Sequence, residues 1–252
     1  HASEETVQAL RERMNLDKPL PLQYVLWLKD AVQLDLGESL LTRRSVVADI
    51  RQYLPATLEI VLLSSLCMVA GGILLGVLSA KYTGKWLDGI IRVLSYLGIV
   101  SPAFVWGVLF MLLFGYLIPI LPTTGRIDQS VAAPAAITGM YTLDFLLAGN
   151  VAGWWDAFRH LILPGIALML GGMAQAARLT RGNMVENSMK DYILAERAYG
   201  VPENRILRKY LLKPSLIPTI TVMAMDISSI FGNAFLVENL FNYPGLSRYG
   251  LS

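Results

Sequence analysis

The hydrophobic pattern of this chain is dominated by four long stretches in which charged residues are rare. Three of them, 60–80, 93–125 and 161–177, are uncharged, and residues 214–237 carry a single charge at Asp226. A helix needs roughly 20 apolar residues to cross a bilayer. The pattern therefore predicts an all-α, polytopic membrane protein, a helical bundle with spans at about 54–80, 93–118, 161–181 and 214–237.

The third stretch has the sequence of a helix packed against other helices. Gly171 and Gly172 precede the run Ala174-Gln175-Ala176-Ala177. Small residues let neighbouring helices approach closely within a membrane. We therefore expect this span to lie inside the bundle rather than against lipid.

Lysine and arginine are unevenly distributed among the segments that connect the predicted spans. Segment 81–92 has three of these residues, 178–213 has eight, and the longer segment 119–160 has two. The positive-inside rule then predicts that 81–92 and the loop 182–213 are cytoplasmic and that 1–53 and 119–160 are extracytoplasmic. An outer segment before the first span needs an earlier span, so we expect the chain to be part of a longer one.

Residues 1–53 are predicted to form a small, partly helical extracytoplasmic subdomain ahead of a transmembrane domain at 54–252. Their apolar residues recur at roughly helical spacing, and they are Leu10, Met14, Leu16, Leu20, Leu22, Tyr24, Trp27 and Leu28. In the loop 119–160, Trp154, Trp155 and Phe158 precede the third span and are typical of an interfacial aromatic belt.

Composition excludes several classes of function. Apolar residues make up 54% of the chain and charged residues 16%, where soluble domains average about 25% charged residues. A net charge of +2 gives no basis for nucleic acid binding. No G-x-x-x-x-G-K-[ST] or G-x-S-x-G motif occurs, and two histidines with one cysteine, Cys67, suggest no metal site. We expect neither an enzyme nor a resident cofactor.

The loop 182–213 carries the densest positive charge in the protein. It has the sequence of two short helices joined at residues 199–202, where Gly200 supplies a left-handed residue and Pro202 starts the next helix. Such a structured, basic element favours docking of a cytoplasmic partner. The alternative is an amphipathic helix that lies on anionic lipid.

Two carboxylates lie inside the predicted spans, Glu59 in the first and Asp226 in the fourth. An ionisable group in a span is costly unless it faces water or the interior of a bundle. Ser229 and Asn233 share the helical face of Asp226. This face lines either a hydrated passage or a polar contact between packed helices.

Several short segments run almost from end to end of the chain: LDKPLPLQYVLWL at 16–28, LDLGESL at 34–40, LPATLEI at 54–60, SPAF at 101–104, LPTTG at 121–125, HLILP at 160–164, ARLTRGNMVE at 177–186, DYILAERAYG at 191–200 and VENLFNYPGLSRYG at 237–250. In this order and spacing they resemble the membrane-spanning permease subunits of binding-protein-dependent ABC importers, in the branch that moves dipeptides, oligopeptides and nickel.

The resemblance implies that the loop contains a coupling helix for an ATPase subunit. Gly200 matches the glycine of the family motif, and Ala195 and Ala198 match its small positions. Leu194 stands where the superfamily has a glutamate, while Glu196 follows two residues later. The implied coupling residues are Asp191, Tyr192, Ala195, Glu196, Arg197, Ala198 and Gly200, and the candidate passage residues are Asp226, Ser229 and Asn233.

The resemblance also implies partners and a location. The partners are a second permease subunit, two cytoplasmic ATP-binding subunits, an extracytoplasmic solute-binding protein and the lipid bilayer. The location is the inner membrane of a prokaryote, with six spans in the full chain. An ion-coupled secondary transporter and a membrane scaffold without transport activity are the alternatives.

Overall fold

The computed structural model describes residue 8, residues 16–39 and residues 42–250. Within these residues there is one isolated β-bridge, between Glu38 and Ser45, and all other regular structure is helical. The predicted all-α class is therefore confirmed. The chain separates into two compact units, the first ending at Gln52 and the second beginning at Tyr53.

The first unit contains helix α1, Leu20–Val32. Pro21 lies in its first turn, where a missing N–H costs no helical hydrogen bond. None of its residues is buried, and the exposed rings of Tyr24 and Trp27 stack with their centroids 6.3 Å apart. Leu10 and Met14 of the predicted apolar pattern lie outside the described residues.

Nine further helices, long and short, follow along the described chain. They are α2 (Val46–Lys81), α3 (Trp86–Val100), α4 (Ala103–Phe110) with π-helical turns over Met111–Leu117, α5 (Tyr141–Leu147), α6 (Val151–Ser188), α7 (Asp191–Ala198), α8 (Glu203–Arg205) with π-helical turns over Ile206–Leu212, α9 (Lys213–Leu240) and α10 (Leu246–Gly250). By length and composition, α2, α6 and the run Glu203–Leu240 could each cross a membrane. The pair of α3 and α4, with its π-helical turns, passes the same test only when taken together.

The second predicted span, 93–118, is not one straight helix. It begins earlier, at Trp86, and the axes of its two halves differ by 108°. Ser101 is extended, with φ −90° and ψ 125°, and Pro102 follows with φ −59° and ψ 150°. The proline ring disfavours a helical conformation at the residue before it, so the helix ends at Val100 and restarts at Ala103.

The helices that contain the third and fourth predicted spans extend beyond the predicted bounds. Helix α6 covers Val151–Ser188, so Arg178 and Arg181, which the charge pattern assigned to a connecting loop, lie within it. Arg181 is accommodated because its Nε and Nη2 bind the two carboxylate oxygens of Asp88 at 2.6 and 2.8 Å. The helix that ends at Leu240 runs without a break from Glu203 through the π-helical turns.

Helices α2 and α6 pack through small residues. A side chain added at Gly72 would place its Cβ 2.5 Å from Cβ of Ala176, and one at Gly76 would lie 2.8 Å from the backbone oxygen of Ala177. Real contacts of this kind are longer, so the two backbones meet only because these positions have no side chain. This is the packing expected of small residues between membrane helices.

Replacing Gly76 with alanine should therefore lower the free energy of unfolding by about 1–3 kcal/mol, because a rigid backbone must move. Gly182→Ala on α6 is the matched control, since nothing lies within 4 Å of its added Cβ. Its better helix propensity should be neutral or stabilising by up to about 1 kcal/mol. Thermal unfolding of both full-length variants in lipid nanodiscs measures the difference, and equal stability would contradict the close α2–α6 contact.

In the first half of α2, a group of buried and half-buried polar side chains fixes the segment that connects α4 to α5. We call it the Glu59 cluster, and it consists of Glu59, Arg126, Tyr141, Thr142 and Tyr243. Nη2 of Arg126 lies 2.6 Å from the Glu59 carboxylate and donates a second hydrogen bond to the backbone oxygen of Gly139. The guanidinium carbon lies 3.7 Å from the centre of the Tyr141 ring.

The other members complete the coordination of the Glu59 carboxylate. Thr142 donates to it from its backbone N–H and from its hydroxyl, each at 2.6 Å. The Tyr243 hydroxyl donates to it at 3.0 Å. Burial, together with the adjacent Glu59 charge, raises the pKa of Tyr243 well above its ordinary value, so the hydroxyl keeps the proton that it donates.

Candidate functional site

Helix α7 carries most of the residues expected to dock a partner. It starts with Asp191 in its first turn, where a negative charge favours a helix N-terminus. It ends at Ala198, and Gly200 then adopts a left-handed conformation with φ +75°. The N–H of Gly200 donates to Arg197 and that of Val201 to Glu196, at 3.0 and 3.1 Å. Gly200 thus ends the helix as the sequence predicts.

Helix α7 is mounted on an apolar cluster at the end of the bundle opposite the Glu59 cluster. Ile193 is fully buried and packs with Met184 of α6, with Ile206 and with Leu211. About 33 Å of helix separates Glu59 from Lys81 on α2, and Val77 and Ala80 near this second end pack against the same cluster. Through the cluster that contains Ile193, α7 packs against α2, α6 and the helix from Glu203 to Leu240.

Polar contacts hold the same region together. Nδ2 of Asn187 donates to Oγ of Ser215 at 2.9 Å, which joins the end of α6 to the start of α9. Arg197 binds Glu203 at 2.8 Å across the turn after α7, and this hydrogen-bonded pair raises the pKa of Arg197. The Arg197–Glu203 pair thus joins the residues before and after Gly200.

The opposite face of α7 is exposed. Asp191, Tyr192, Ala195, Arg197, Ala198 and Gly200 are all exposed, while Glu196 is half-buried. Leu194 is 57% exposed and Tyr199 85% exposed, so apolar side chains flank the small residues. We call these exposed residues, with Met189, the α7 surface. Met189 and Tyr199 were not among the predicted contact residues, although their apolar character in a polar segment was the available signal.

The three polar residues predicted to share a helical face line a common cavity of about 320 Å³. Asp226, Ser229 and Asn233 come from α9, and Gln175 comes from α6. The remaining lining includes Gly98, Ser101, Pro102, Gly171 and Gly172. The break between α3 and α4 thus forms one wall, and its signal in the sequence was Pro102. Sequence reasoning missed Gln175, whose glutamine side chain is uncharged and lies in an apolar stretch.

A second buried ion pair supports the end of the bundle near α7. Besides Arg181, the Asp88 carboxylate accepts a hydrogen bond from Oγ of Ser79 at 2.6 Å and one from the N–H of Gly84 at 3.0 Å. Asp88 therefore fixes the turn between α2 and α3 against α6. Among the described residues, no group of three or more side chains of the types that bind metals lies close together.

Comparisons with known proteins identify relatives of this chain. Residues 72–252 match the family of binding-protein-dependent transport system inner membrane components. The chain is 38% identical over 248 residues to a probable D,D-dipeptide transport system permease protein of Escherichia coli K12, covering 98% of this chain and 73% of that protein. It is 34% identical to a dipeptide transport system permease protein of Alkalihalophilus pseudofirmus, over 98% and 74% of the two chains. It is 30% identical to a glutathione transport system permease protein of Escherichia coli O6:H1, over 98% and 71%.

Proposed function

This chain belongs to the family of inner membrane components of binding-protein-dependent transport systems, and we propose that it forms half of the passage of an ATP-driven importer for peptides. In this proposal it pairs with a second permease subunit and receives its solute from an extracytoplasmic binding protein. Two cytoplasmic subunits bind and hydrolyse ATP, and this chain hydrolyses none. The protein is a multi-pass protein of the inner membrane.

The observation that carries the proposal is the construction of the α7 surface. A helix that transmits force must be held rigidly by its own chain and must offer a free face to its partner. Ile193 is fully buried, while Leu194 beside it is 57% exposed. Small residues at Ala195 and Ala198 allow a partner to approach the backbone closely. We therefore assign the ATPase contact to this surface and its end of the bundle to the cytoplasm.

Movement of α7 would reach the cavity through a continuous helix. Ile193 packs against Ile206, and from Ile206 the chain is helical to Leu240. Asp226 lies 20 residues further along, about 30 Å at the rise of an α-helix. A displacement of α7 would thus shift the cavity wall that carries Asp226, Ser229 and Asn233. We propose that these three residues line the passage.

The names of the relatives support a peptide-like solute. They refer to D,D-dipeptides, dipeptides and glutathione, all of which are small and contain a peptide bond. Nickel chelates, which the resemblance also allowed, are not named by these relatives and stay a prediction. The Glu59 cluster would then lie on the extracytoplasmic side, toward the solute-binding protein.

Site-directed crosslinking tests the docking assignment. In a Cys67→Ala background, Ala198→Cys in the full-length chain should crosslink to a nucleotide-hydrolysing subunit in membrane vesicles that import alanylalanine. Thr83→Cys is the matched control, since Thr83 is also exposed at this end of the bundle but lies off α7. We expect at least about tenfold less crosslinked product from it, because thiols must lie within the length of a short reagent. Absence of an ATPase adduct at Ala198→Cys during active import would overturn the docking assignment, and import that continues without any ATPase would favour an ion-coupled transporter.

A further inference from the structure

Asp226 has a buried carboxylate oxygen with no hydrogen-bond partner in the described part of the chain. Its Oδ2 is one of few buried side-chain polar atoms in this condition. No ion pair among the described residues involves Asp226. Glu59 and Asp88 have arginine partners, and the buried carboxylates of Asp144 and Glu238 accept hydrogen bonds from hydroxyl and backbone N–H groups. Asp226 differs from all four, because the described residues supply neither a cation nor a hydrogen-bond donor to its Oδ2.

The cavity next to Asp226 offers acceptors and no cation. None of its lining residues is a lysine, arginine or histidine. Nδ2 of Asn233 donates to the backbone oxygen of Ser229 at 3.0 Å, and the Ser229 hydroxyl donates to the backbone oxygen of Met225 at 3.3 Å. These contacts use the hydroxyl hydrogen of Ser229 and one of the two amide hydrogens of Asn233, and they leave the amide oxygen of Asn233 and lone pairs of Ser229 available. The lining thus complements a group that is positively charged and rich in donors.

The nearest basic residue along α6 is already engaged. Arg178 lies one helical turn beyond Gln175, and its Nη2 donates to Oε1 of Gln175 at 3.0 Å. Arg178 is outside the lining of the cavity, whereas Gln175 is part of it. Gln175 therefore separates this guanidinium from the space beside Asp226.

Size and shape also suit a small solute. At about 320 Å³ the cavity is within the range of small-molecule sites. Glycines maintain its space: a Cβ at Gly172 would lie 3.5 Å from Cβ of Asp226 and would overlap Met68, and one at Gly171 would lie 3.6 Å from the backbone oxygen of Gly98. Gly171 and Gly172 thus leave open space on the α6 side of the cavity.

We propose that the Asp226 carboxylate binds the protonated primary amino group of the transported solute, with Ser229 and Asn233 accepting the remaining ammonium hydrogens. This inference rests on the proposed function, because it assumes that the cavity belongs to the passage. A carboxylate at this depth costs a few kcal/mol when it is ionised and unpaired. An ammonium group removes that cost only while solute is present, so the cavity favours a solute with a protonated amino group without a permanent counter-ion.

Thiol modification measures the charge preference of the cavity without involving the solute-binding protein. Ser101→Cys in a Cys67→Ala background is treated in the assembled transporter with two methanethiosulfonates of similar size, the 2-aminoethyl and the 2-hydroxyethyl reagent. The rate of modification by the 2-aminoethyl reagent, divided by that of the 2-hydroxyethyl reagent, should fall by about tenfold or more when Asp226→Asn is added, because a hydrogen-bonded charge pair is lost. At Thr83→Cys, outside the cavity, the ratio should not depend on residue 226.

Import provides the second measurement. Asp226→Asn should reduce ATP-driven uptake of alanylalanine by about tenfold or more, while Asp226→Glu recovers part of it. Ser228→Ala is the matched control, since Ser228 is on the same helix but not in the lining. Its uptake should be unchanged.

The outcomes separate this inference from the proposed function. An Asp226→Asn variant with normal uptake, or with an unchanged ratio of modification rates, overturns the ammonium site while ATP-driven import by the wild type still supports the importer. A loss of uptake without a change in the rate ratio also overturns it, because Asp226 then acts in a contact between subunits. Failure of the wild-type assembly to import with ATP would instead contradict the proposed function.

Discussion

Replacing Gly200 with valine is expected to reduce ATP-driven dipeptide uptake by about tenfold or more, while the chain still inserts in the membrane. The residue has φ +75°, where an L-residue costs roughly 1–2 kcal/mol and a β-branched one more. Nothing in the chain lies within 4 Å of an added Cβ, so the substitution causes no internal clash. Its effect falls on the end of α7 and on the fit of the α7 surface to its partner. Each 1.4 kcal/mol lost from the binding free energy between the α7 surface and its partner weakens the binding constant tenfold.

The same chain contains a close control for backbone strain. Gly84 has φ +79°, nothing lies within 4 Å of an added Cβ, and it sits in the turn between α2 and α3. Gly84→Val should therefore destabilise the chain to a similar extent but retain coupling of ATP hydrolysis to uptake. Gly200→Asn, which tolerates the left-handed conformation, separates side-chain bulk from strain. Uptake and ATP hydrolysis are measured together in proteoliposomes, and normal coupling in Gly200→Val would contradict docking at this surface.

Replacing Arg126 with methionine is expected to lower the free energy of unfolding by about 3–5 kcal/mol, the range for breaking one side of a buried ion pair. Arg126 is 8% exposed and Glu59 4% exposed at their side chains, so the remaining carboxylate cannot be solvated in place. Thr142 and Tyr243 would still donate to Glu59, but they supply no positive charge. Thermal unfolding of the full-length chain in nanodiscs gives the measurement.

Two further variants identify the origin of that loss. Arg197→Gln removes an exposed partner from the pair with Glu203, whose side chains are 42% and 70% exposed, and should change the stability by less than about 1 kcal/mol. Adding Glu59→Gln to Arg126→Met removes the unpaired charge and should recover part of the loss. If Arg126→Met proved no more harmful than Arg197→Gln, the Glu59 cluster would not be a stabilising feature.

Elements that depend on local sequence could be predicted well. The uncharged runs locate the long helices, because the cost of placing charges in a membrane acts residue by residue. The left-handed conformation of Gly200 follows from its place between a helical segment and Pro202. The common face of Asp226, Ser229 and Asn233 follows from helical periodicity alone.

Features that depend on contacts between distant residues could not be predicted. Arg181 was counted with the basic residues of the connecting segment 178–213, since its partner Asp88 is 93 residues away in sequence and nothing local signals the pair. Glu59 lies inside a predicted span, but its partners Arg126 and Tyr243 are 67 and 184 residues away in sequence and nothing local signals them. Pro102 signalled a break, but the 108° bend depends on how α3 and α4 each pack against the rest of the bundle.

The unbroken helix from Glu203 to Leu240 has a consequence for how this sequence can change. Each residue of an α-helix turns the chain by about 100°, so one residue inserted between Ile206 and Asp226 would rotate the carboxylate out of its cavity while the α7 mounting stayed in place. Two inserted residues would not restore the orientation of Asp226 about the helix axis. Seven inserted residues, close to two full turns, would restore it. The helical phase between the α7 mounting and Asp226 therefore constrains insertions and deletions between Ile206 and Asp226.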